Sequence, residues 1–316
     1  LFLLPNSLEL TAGILGTFKI GSEALVLPPN LEQADLVKYL DHYQPDIIVL
    51  TSHIYSFDHV KPYVQWVKDA VEQSSHTPDH YIIKERKGAK RELRAWHDYD
   101  FDQLLKHAHH SESVEVPGSH IGLAIYGEGN QDSGMVQFET SHVGVNSHAY
   151  YQRVIPEDTE TVWHPEHFGL SYGIAYGILG PLISGQTIVI SEGQDMSEII
   201  SYDFWRMIEK HEVNAVVGSE RVFEVLNQYD EQGETASSFD LNHLRYLVVL
   251  SGNMKVDQIQ WLEDVLGVKV VEQWGMETSF FPIVSTQFTK PIMLDEEDAE
   301  EYWQLAPFEG FGLIYP

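Results

Sequence analysis

The sequence contains no cysteine. Disulfides, thiolate metal centres and cysteine nucleophiles are therefore excluded. Positive charge is scarce: 19 Lys and Arg stand against 48 Asp and Glu, a formal net charge of -29. A free nucleic acid or an anionic membrane surface is a poor partner for such a chain. No apolar run approaches the length of a membrane span, and the opening Leu1-Phe2-Leu3-Leu4-Pro5 carries no charged leader. These absences fit a cytoplasmic protein. No G-x-S-x-G elbow occurs, so a serine triad of that kind is unsupported. His164 and His167 have the spacing of a metal pair, but Pro165 between them argues against the helix that such a pair needs. His107, His109 and His110 lie in a polar loop and read as surface residues.

At 43% hydrophobic and 12% aromatic, a chain of 316 residues can bury a substantial core as one large domain or two moderate ones. The periodicity alternates strand and helix. Leu1 to Leu4 reads as the end of a buried strand, and Ser7 as the cap of a helix running to about Ile20. Ala24 to Leu27, Ile47 to Leu50 and Tyr81 to Ile83 read as strands, with helices predicted over Leu31 to Tyr43 and His59 to Gln73. Further on, Ser171 to Ile183 reads as an apolar helix of small residues. Strands at Thr187 to Ile190, Ala215 to Val217, Leu244 to Leu250 and Val268 to Val271 alternate with helices. The fold class expected is α/β: two stacked, doubly wound sheet subdomains. A boundary in the polar connector His107 to Gly118 divides them into 1–110 and 111–316. The basic cluster Lys84 to Arg94 reads as solvated, with docking of a phosphorylated ligand as the alternative.

Between two apolar runs stands Tyr126-Gly127-Glu128-Gly129-Asn130-Gln131-Asp132-Ser133-Gly134. Strand, glycine-rich turn, strand is a way to bring backbone N–H groups to a phosphate. Here the turn carries two carboxylates, and no Lys occurs between Lys106 and Lys210.

Taken in order, several segments resemble those of adenylate-forming (AMP-dependent synthetase/ligase) enzymes, a family that includes acyl-CoA and acetyl-CoA synthetases. Leu3-Leu4-Pro5-Asn6-Ser7 is similar to the early "LPNSPE" segment, Pro165 to Leu170 to "PLFHIFGL", and Asp240 to Arg245 to "DLSSLR". Ser251-Gly252-Asn253-Met254 stands where "GGAPL" is expected, and Gln273 to Thr278 resembles "YGMTET". The resemblance covers most of the chain and matches the middle of the family's large N-terminal domain. It implies that the family's "YRTGD" motif, hinge and C-terminal catalytic lysine lie beyond Pro316, leaving an N-terminal core without the C-terminal domain. It also implies that Tyr126 to Gly134 occupies the place of the phosphate loop "TSGSTGKPKG", with its lysine missing and Glu128 and Asp132 added. The "PP" expected after the Val216-Val217 strand is Ser219-Glu220.

The resemblance implies a set of site residues. Gly127, Gly129, Gly134, Gly252, Gln273, Trp274, Gly275 and Met276 would bind nucleotide. Trp274 would either stack on adenine or close the core. His167 and Phe168 would line the acyl pocket, or His167 would be a bonded core histidine. Glu277 would ligate Mg²⁺, or merely cap the next segment. ATP or AMP, Mg²⁺ and coenzyme A are the implied cofactors, and a small carboxylic acid or acyl compound the ligand. The implied activity is AMP-forming acyl-CoA ligation, weak or absent in this chain on its own. The alternative is a pseudoenzyme of the same fold that binds an acyl or nucleotide ligand, a partner protein or a second copy.

Overall fold

The structure, a computed structural model, describes residues 1–55, 60–87, 97–126, 135–149, 155, 159–170, 172–192, 201–250, 254–275, 284–285 and 304–305. The chain divides into two units. The first takes Leu1–Ser141, His167–Ser171 and Ser191–Gln194; the second takes His142–Glu166, Tyr172–Ile190 and Asp195–Pro316.

The first unit begins with β1 (Phe2–Leu3), α1 (Leu8–Lys19), β2 (Ala24–Val26), α2 (Gln33–Tyr43) and β3 (Ile47–Thr51). A small hairpin, β4 (His53–Tyr55) and β5 (Val60–Pro62), precedes α3 (Tyr63–Gln73). Then come β6 (His80–Lys84), β7 (Asp98–Asp100), α4 (Phe101–Lys106), β8 (Ile121–Tyr126) and β9 (Met135–Glu139). Among the described residues seven of these strands form one sheet in the order β7-β6-β3-β1-β2-β8-β9. Every neighbouring pair is parallel except β8–β9. Parallel strands are covered on both faces. The apolar run of β3 and the core around Leu36, Leu40, Leu50 and Val67 follow from that.

Local chemistry explains the ends of the elements. Ser7 Oγ accepts the Leu10 N–H at 3.1 Å and caps α1, as the sequence leads one to expect. The helix expected from His59 starts at Tyr63 instead, because Val60 to Pro62 pairs as a strand with β4. The expected boundary at 110/111 also differs from the observed division. After the polar connector, β8 returns to the same sheet and pairs in parallel with β2, Leu123 opposite Ala24. The first unit consequently runs through Ser141.

From His142 on, α5 (Thr140–Ala149) belongs to the second unit, which continues with β10 (Thr161–Trp163), a π-helical turn (Ala175–Leu179), α6 (Gly180–Ile183) and β11 (Thr187–Val189). There follow α7 (Ser201–His211), β12 (Ala215–Ser219), α8 (Glu220–Tyr229), β13 (Tyr246–Leu250), α9 (Val256–Leu266), β14 (Lys269–Trp274), β15 (Val284–Ser285) and β16 (Gln304–Leu305). Among the described residues the sheet order is β11-β10-β12-β13-β14-β15-β16, parallel from β11 to β14 and antiparallel beyond. The helix expected over 171–183 is opened by its proline. Pro181 brings no N–H to the ladder, and just before it the bonding runs at i−5, from Gly180 N–H to Ala175 O. No helix among the described residues is long and apolar enough to cross a membrane.

Trp163, Phe204, Trp205 and Phe223 are fully buried in the second core. Its polar anchor is Asp230, 5% exposed. Its carboxylate accepts from Trp205 Nε1 at 3.1 Å, Thr235 N at 2.9 Å and Ala236 N at 2.8 Å. Truncation would strand three donors, two of them buried. Asp230→Ala is expected to lower the unfolding free energy by about 3 kcal/mol, read as a shift of the urea midpoint. An unchanged midpoint would contradict this role.

Candidate functional site

The site is built on strand ends. Ser219 of β12 pairs with Leu250 of β13, and Leu250 with Gln273 of β14. One strand further, Trp163 of β10 pairs with Val216. The carboxyl ends of four parallel strands thus stand in a row. In open α/β sheets ligands bind outside those ends. The segments leaving them are His164 to Glu166, Ser219-Glu220, residues 251–253 and Trp274-Gly275. Residues 251–253, and with them Gly252, lie outside the described residues.

Two of these segments are tied by a carboxylate. Glu166 Oε2 accepts the Ser219 N–H at 2.7 Å, and Oε1 accepts the Ser219 hydroxyl at 2.7 Å. Ser219 is the residue before α8 and makes no side-chain cap of its own. Glu166 therefore supplies the negative charge that a helix start favours. Beside it, His164 is 1% exposed, and its Nδ1 donates to Val217 O at 2.8 Å. A carbonyl can only accept, so a neutral ring carries its proton on Nδ1. Burial depresses the His164 pKa below its ordinary 6.5, with the Glu166 charge opposing.

The row is acidic. Burial, and then the Glu224 charge, raises the Glu220 pKa above its ordinary 4.5, while Lys255 pulls it back. Burial, and then Glu220, raises that of Glu272. An ionised pair at this edge is thus held at a cost.

At the end of β14, Gln273 is fully buried and Trp274 is 46% exposed. The Tyr176 hydroxyl, from the π-helical turn, donates to Gln273 Oε1. Gln273 Nε2 has no hydrogen-bond partner among the described residues. The chain enters the π-helical turn through Tyr172, whose φ is +62°. For a bulky side chain that is an uncommon, strained conformation.

His167 and Phe168 fall in the first unit. His167 is 1% exposed. Its Nδ1 accepts the Gly169 N–H at 3.0 Å, so Nε2 carries the proton and donates to Leu4 O at 2.8 Å. Both ring nitrogens are used by backbone. The Phe168 N–H donates to Asn6 Oδ1 at 2.8 Å, and its ring is fully buried. Gly169 is needed for close approach: a Cβ there would lie 3.0 Å from Val26 O and 3.1 Å from His167 Nδ1. The 167–170 turn is thereby fixed to the ends of β1 and β2.

The first unit also holds an open cavity of about 570 Å³, lined by Pro5, Tyr55, Lys84, Arg86, Asp102 and Glu192, among others. Lys84 Nζ contacts Glu9 Oε1 and Asp102 Oδ1, each at 2.8 Å. Arg86 Nη2 lies 2.7 Å from Glu192 and its guanidinium 4.7 Å from the Tyr55 ring centroid. Two cations of the basic cluster are already neutralised, which weighs against a phosphate there. Residues 88–94 of the cluster lie outside the described residues.

Of the sequence-derived candidates, Gln273, Trp274 and Gly275 stand together at the end of β14, and His167 with Phe168 at the end of β1. Gly127, Gly129, Gly134, Met276 and Glu277 lie outside the described residues. Sequence reasoning missed Tyr176, Glu166 and the Glu220–Glu272 pair. The only signal for Tyr176 is that it is one of two phenols, with Tyr172, in a largely apolar, small-residue run.

Comparison with known proteins adds four findings. The family model described as "AMP-binding enzyme" matches residues 133–302. The human "Acyl-CoA synthetase short-chain family member 3, mitochondrial" is 22% identical over 277 residues, covering 86% of this chain and 40% of that protein. The "Propionate--CoA ligase" of Salmonella typhimurium is 22% identical over 294 residues, covering 89% and 45%. The chain thus spans less than half the length of these curated relatives. A crystal structure of a Brucella canis acyl-CoA synthetase superposes with a TM-score of 0.72 at 20% identity, covering 88% of this chain and 47% of that one. At that identity the likeness shows the fold.

Two outcomes test the geometry. In Glu166→Gln the amide oxygen can still accept the N–H while its NH₂ donates to the hydroxyl, which can accept. That variant is expected to lose less than about 1 kcal/mol, and Glu166→Ala about 2 kcal/mol; equal losses in urea unfolding would contradict the clamp. The second concerns pH. A carboxyl with a raised folded pKa favours folding fully below its unfolded pKa and loses that contribution as pH rises through the folded value. Glu220→Gln should therefore raise the urea midpoint at about pH 7.5 and give no gain at about pH 4. A gain confined to low pH would reverse the sign.

Proposed function

We propose that this chain, which belongs to the AMP-binding enzyme family, supplies the nucleotide- and carboxylate-binding core of an adenylate-forming ligase of the acyl-CoA synthetase kind. In that reaction a carboxylate oxygen attacks the α-phosphorus of ATP and pyrophosphate leaves, giving an acyl-adenylate. The thiol of coenzyme A then attacks the acyl carbon, and AMP leaves as the thioester forms. A small carboxylic acid is the substrate class proposed. The names of the human and Salmonella relatives, short-chain and propionate, support that choice.

The observation that carries the reading is the alignment of the β12, β13 and β14 ends. It gathers at one edge the segments that family resemblance assigns to nucleotide. Trp274 offers an exposed indole face to adenine, and Gly275 follows it without a side chain. Gly252 and Met276 complete that edge in the proposal, and Gly127, Gly129 and Gly134 belong to the phosphate segment. In the first unit, His167 and Phe168 belong to the acyl-pocket part of the proposal, His167 through its ring faces because both imidazole nitrogens are engaged.

Adenine suits this edge: Gln273 carries a buried N–H₂ and Trp274 an open ring face. Mg²⁺ has less support. Among the described residues no group of three or more His, Asp or Glu could hold a metal ion, and the proposed ligand, Glu277, lies outside them. Bound there, the ion would offset phosphate charge. Coenzyme A remains part of the proposal without an assigned site, and a cytoplasmic setting remains part of it too.

Catalysis by this chain is proposed to be weak. Phosphate transfer depends on positioning and neutralising charge. With no Lys from 107 to 209, and with Glu128 and Asp132 in the glycine segment, the local field opposes a triphosphate. The same observation favours a second reading, a non-catalytic member that retains ligand binding.

Calorimetry with AMP, with ATP plus Mg²⁺ and with coenzyme A, combined with propionate-dependent pyrophosphate–ATP exchange, tests these statements. AMP is expected to bind, ATP to bind less tightly, and exchange to stay near background. Exchange at about 1 s⁻¹ or faster, an ordinary turnover, would overturn weak catalysis. No heat with AMP would overturn the nucleotide site.

A further inference from the structure

Helix α1 carries an apolar face that the fold leaves open. Leu8, Ala12, Gly16 and Ile20 recur every fourth residue, which places them on one ridge of the helix surface. Leu8 at one end of the ridge is 74% exposed, and Ile20, which closes the helix, is 50% exposed. Ala12 and Gly16 between them are exposed as well. Leu15, on the neighbouring ridge, is 38% exposed. Val114 extends the patch: its N–H donates to Lys19 O at 2.9 Å, and the residue is 53% exposed. Exposed apolar residues scattered singly are normal on a protein surface, whereas a continuous row of them marks a contact. Packing within the first unit explains one glycine of α1 and not the other. A Cβ at Gly13 would lie 2.5 Å from the Phe2 ring, but a Cβ at Gly16 would meet nothing within 4 Å. A glycine inside a helix costs stability, so Gly16 is kept for something the single chain does not show.

We propose that this face is a two-fold interface between copies of this chain, in which α1 packs antiparallel on α1 of a second protomer, centred on the level of Ile14. In that register Leu8 of one protomer meets Ile20 of its partner, and Ala12 meets Gly16. Large residues then pack at the two ends, and small ones let the backbones approach in the middle. The charges match in the same register: Glu9, in the first turn, faces Lys19, in the last turn. Glu9 already contacts Lys84 through Oε1, but its side chain is still 27% exposed, and a carboxylate can accept further donors. Antiparallel helices also set opposite dipole ends side by side. A two-fold contact has to be self-complementary in this way. Net charge selects against other self-contacts: at a formal -29, copies repel one another wherever carboxylates face carboxylates. On the α1 face one carboxylate and one ammonium balance. The interface does not depend on nucleotide binding.

The test is sedimentation velocity on the full chain, from about 1 to about 300 µM in about 0.15 M salt. A helix about 18 Å long presents less than the roughly 800 Å² per partner of a standard interface. A weak monomer–dimer equilibrium is therefore expected, with its midpoint at roughly 10 to 100 µM. Leu8→Glu should weaken association at least about 10-fold. A carboxylate in the first turn suits a helix start, so this variant should keep its melting temperature. Gly16→Leu adds apolar surface but holds the two helices apart, and should weaken association about 10-fold. Glu9→Gln and Lys19→Met should each weaken it about 3-fold, and together no more than either alone. A chain that stays monomeric at every concentration would overturn the proposal, and the face would then belong to a different polypeptide. A dimer as stable in Leu8→Glu as in the native chain would place the contact elsewhere and overturn it too. Tighter association in Gly16→Leu, or additive losses at Glu9 and Lys19, would overturn the register. The concentration series on the native chain needs no variant to fold.

Discussion

The parallel pairing of β12, β13 and β14 is the constraint on which the second unit depends. Ladder hydrogen bonds and burial on both faces hold Ser219, Leu250 and Gln273 in register. A one-residue slip would invert every side chain of a strand. The core of Trp163, Phe204, Trp205 and Phe223 forbids that. Position at the sheet edge is thus inherited from apolar packing some distance below it. Glu166 and Tyr176 act on this fixed frame, one tying the 164–166 segment to α8 and the other hydrogen-bonded to Gln273.

The electrostatics of the edge are unusual for a nucleotide site. Burial, then the Glu224 charge, raises the proton affinity of Glu220, and burial, then the Glu220 charge, raises that of Glu272; Glu220 stands where family resemblance leads one to expect an apolar Pro-Pro turn. The glycine segment 127–134 likewise carries two carboxylates and no cation. Under the functional proposal, an acidic edge of this kind suits the base and ribose end of a nucleotide better than its phosphates. That distinction separates retention of the fold from retention of catalytic power, and the functional proposal turns on it.

Much of the architecture was legible in the residues. Ser7 announced α1, apolar runs announced β3, β8 and β13, and the alternation announced an α/β fold. What escaped was long-range or local strain. The return of β8 to the first sheet depends on pairing with β2, about a hundred residues earlier, which periodicity does not encode. The Tyr63 start of α3 depends on β5 finding β4. The π-helical turn hides inside a pattern that reads as plain helix, and its cause, Pro181, lies beyond it. For the site, Gln273, Trp274 and Gly275 were visible as a motif. Tyr176 and Glu166 were not, because their roles exist only once partners 97 and 53 residues away are brought to them.

Hydrogen exchange on the full chain, with and without AMP, tests the central claim most directly. If the carboxyl ends of β12, β13 and β14 form the nucleotide site, AMP will slow exchange in peptides covering 216–222, 248–256 and 271–278 and leave the first sheet unchanged. Slowing confined to the first unit, or none at these three strand ends under saturating AMP, would contradict it.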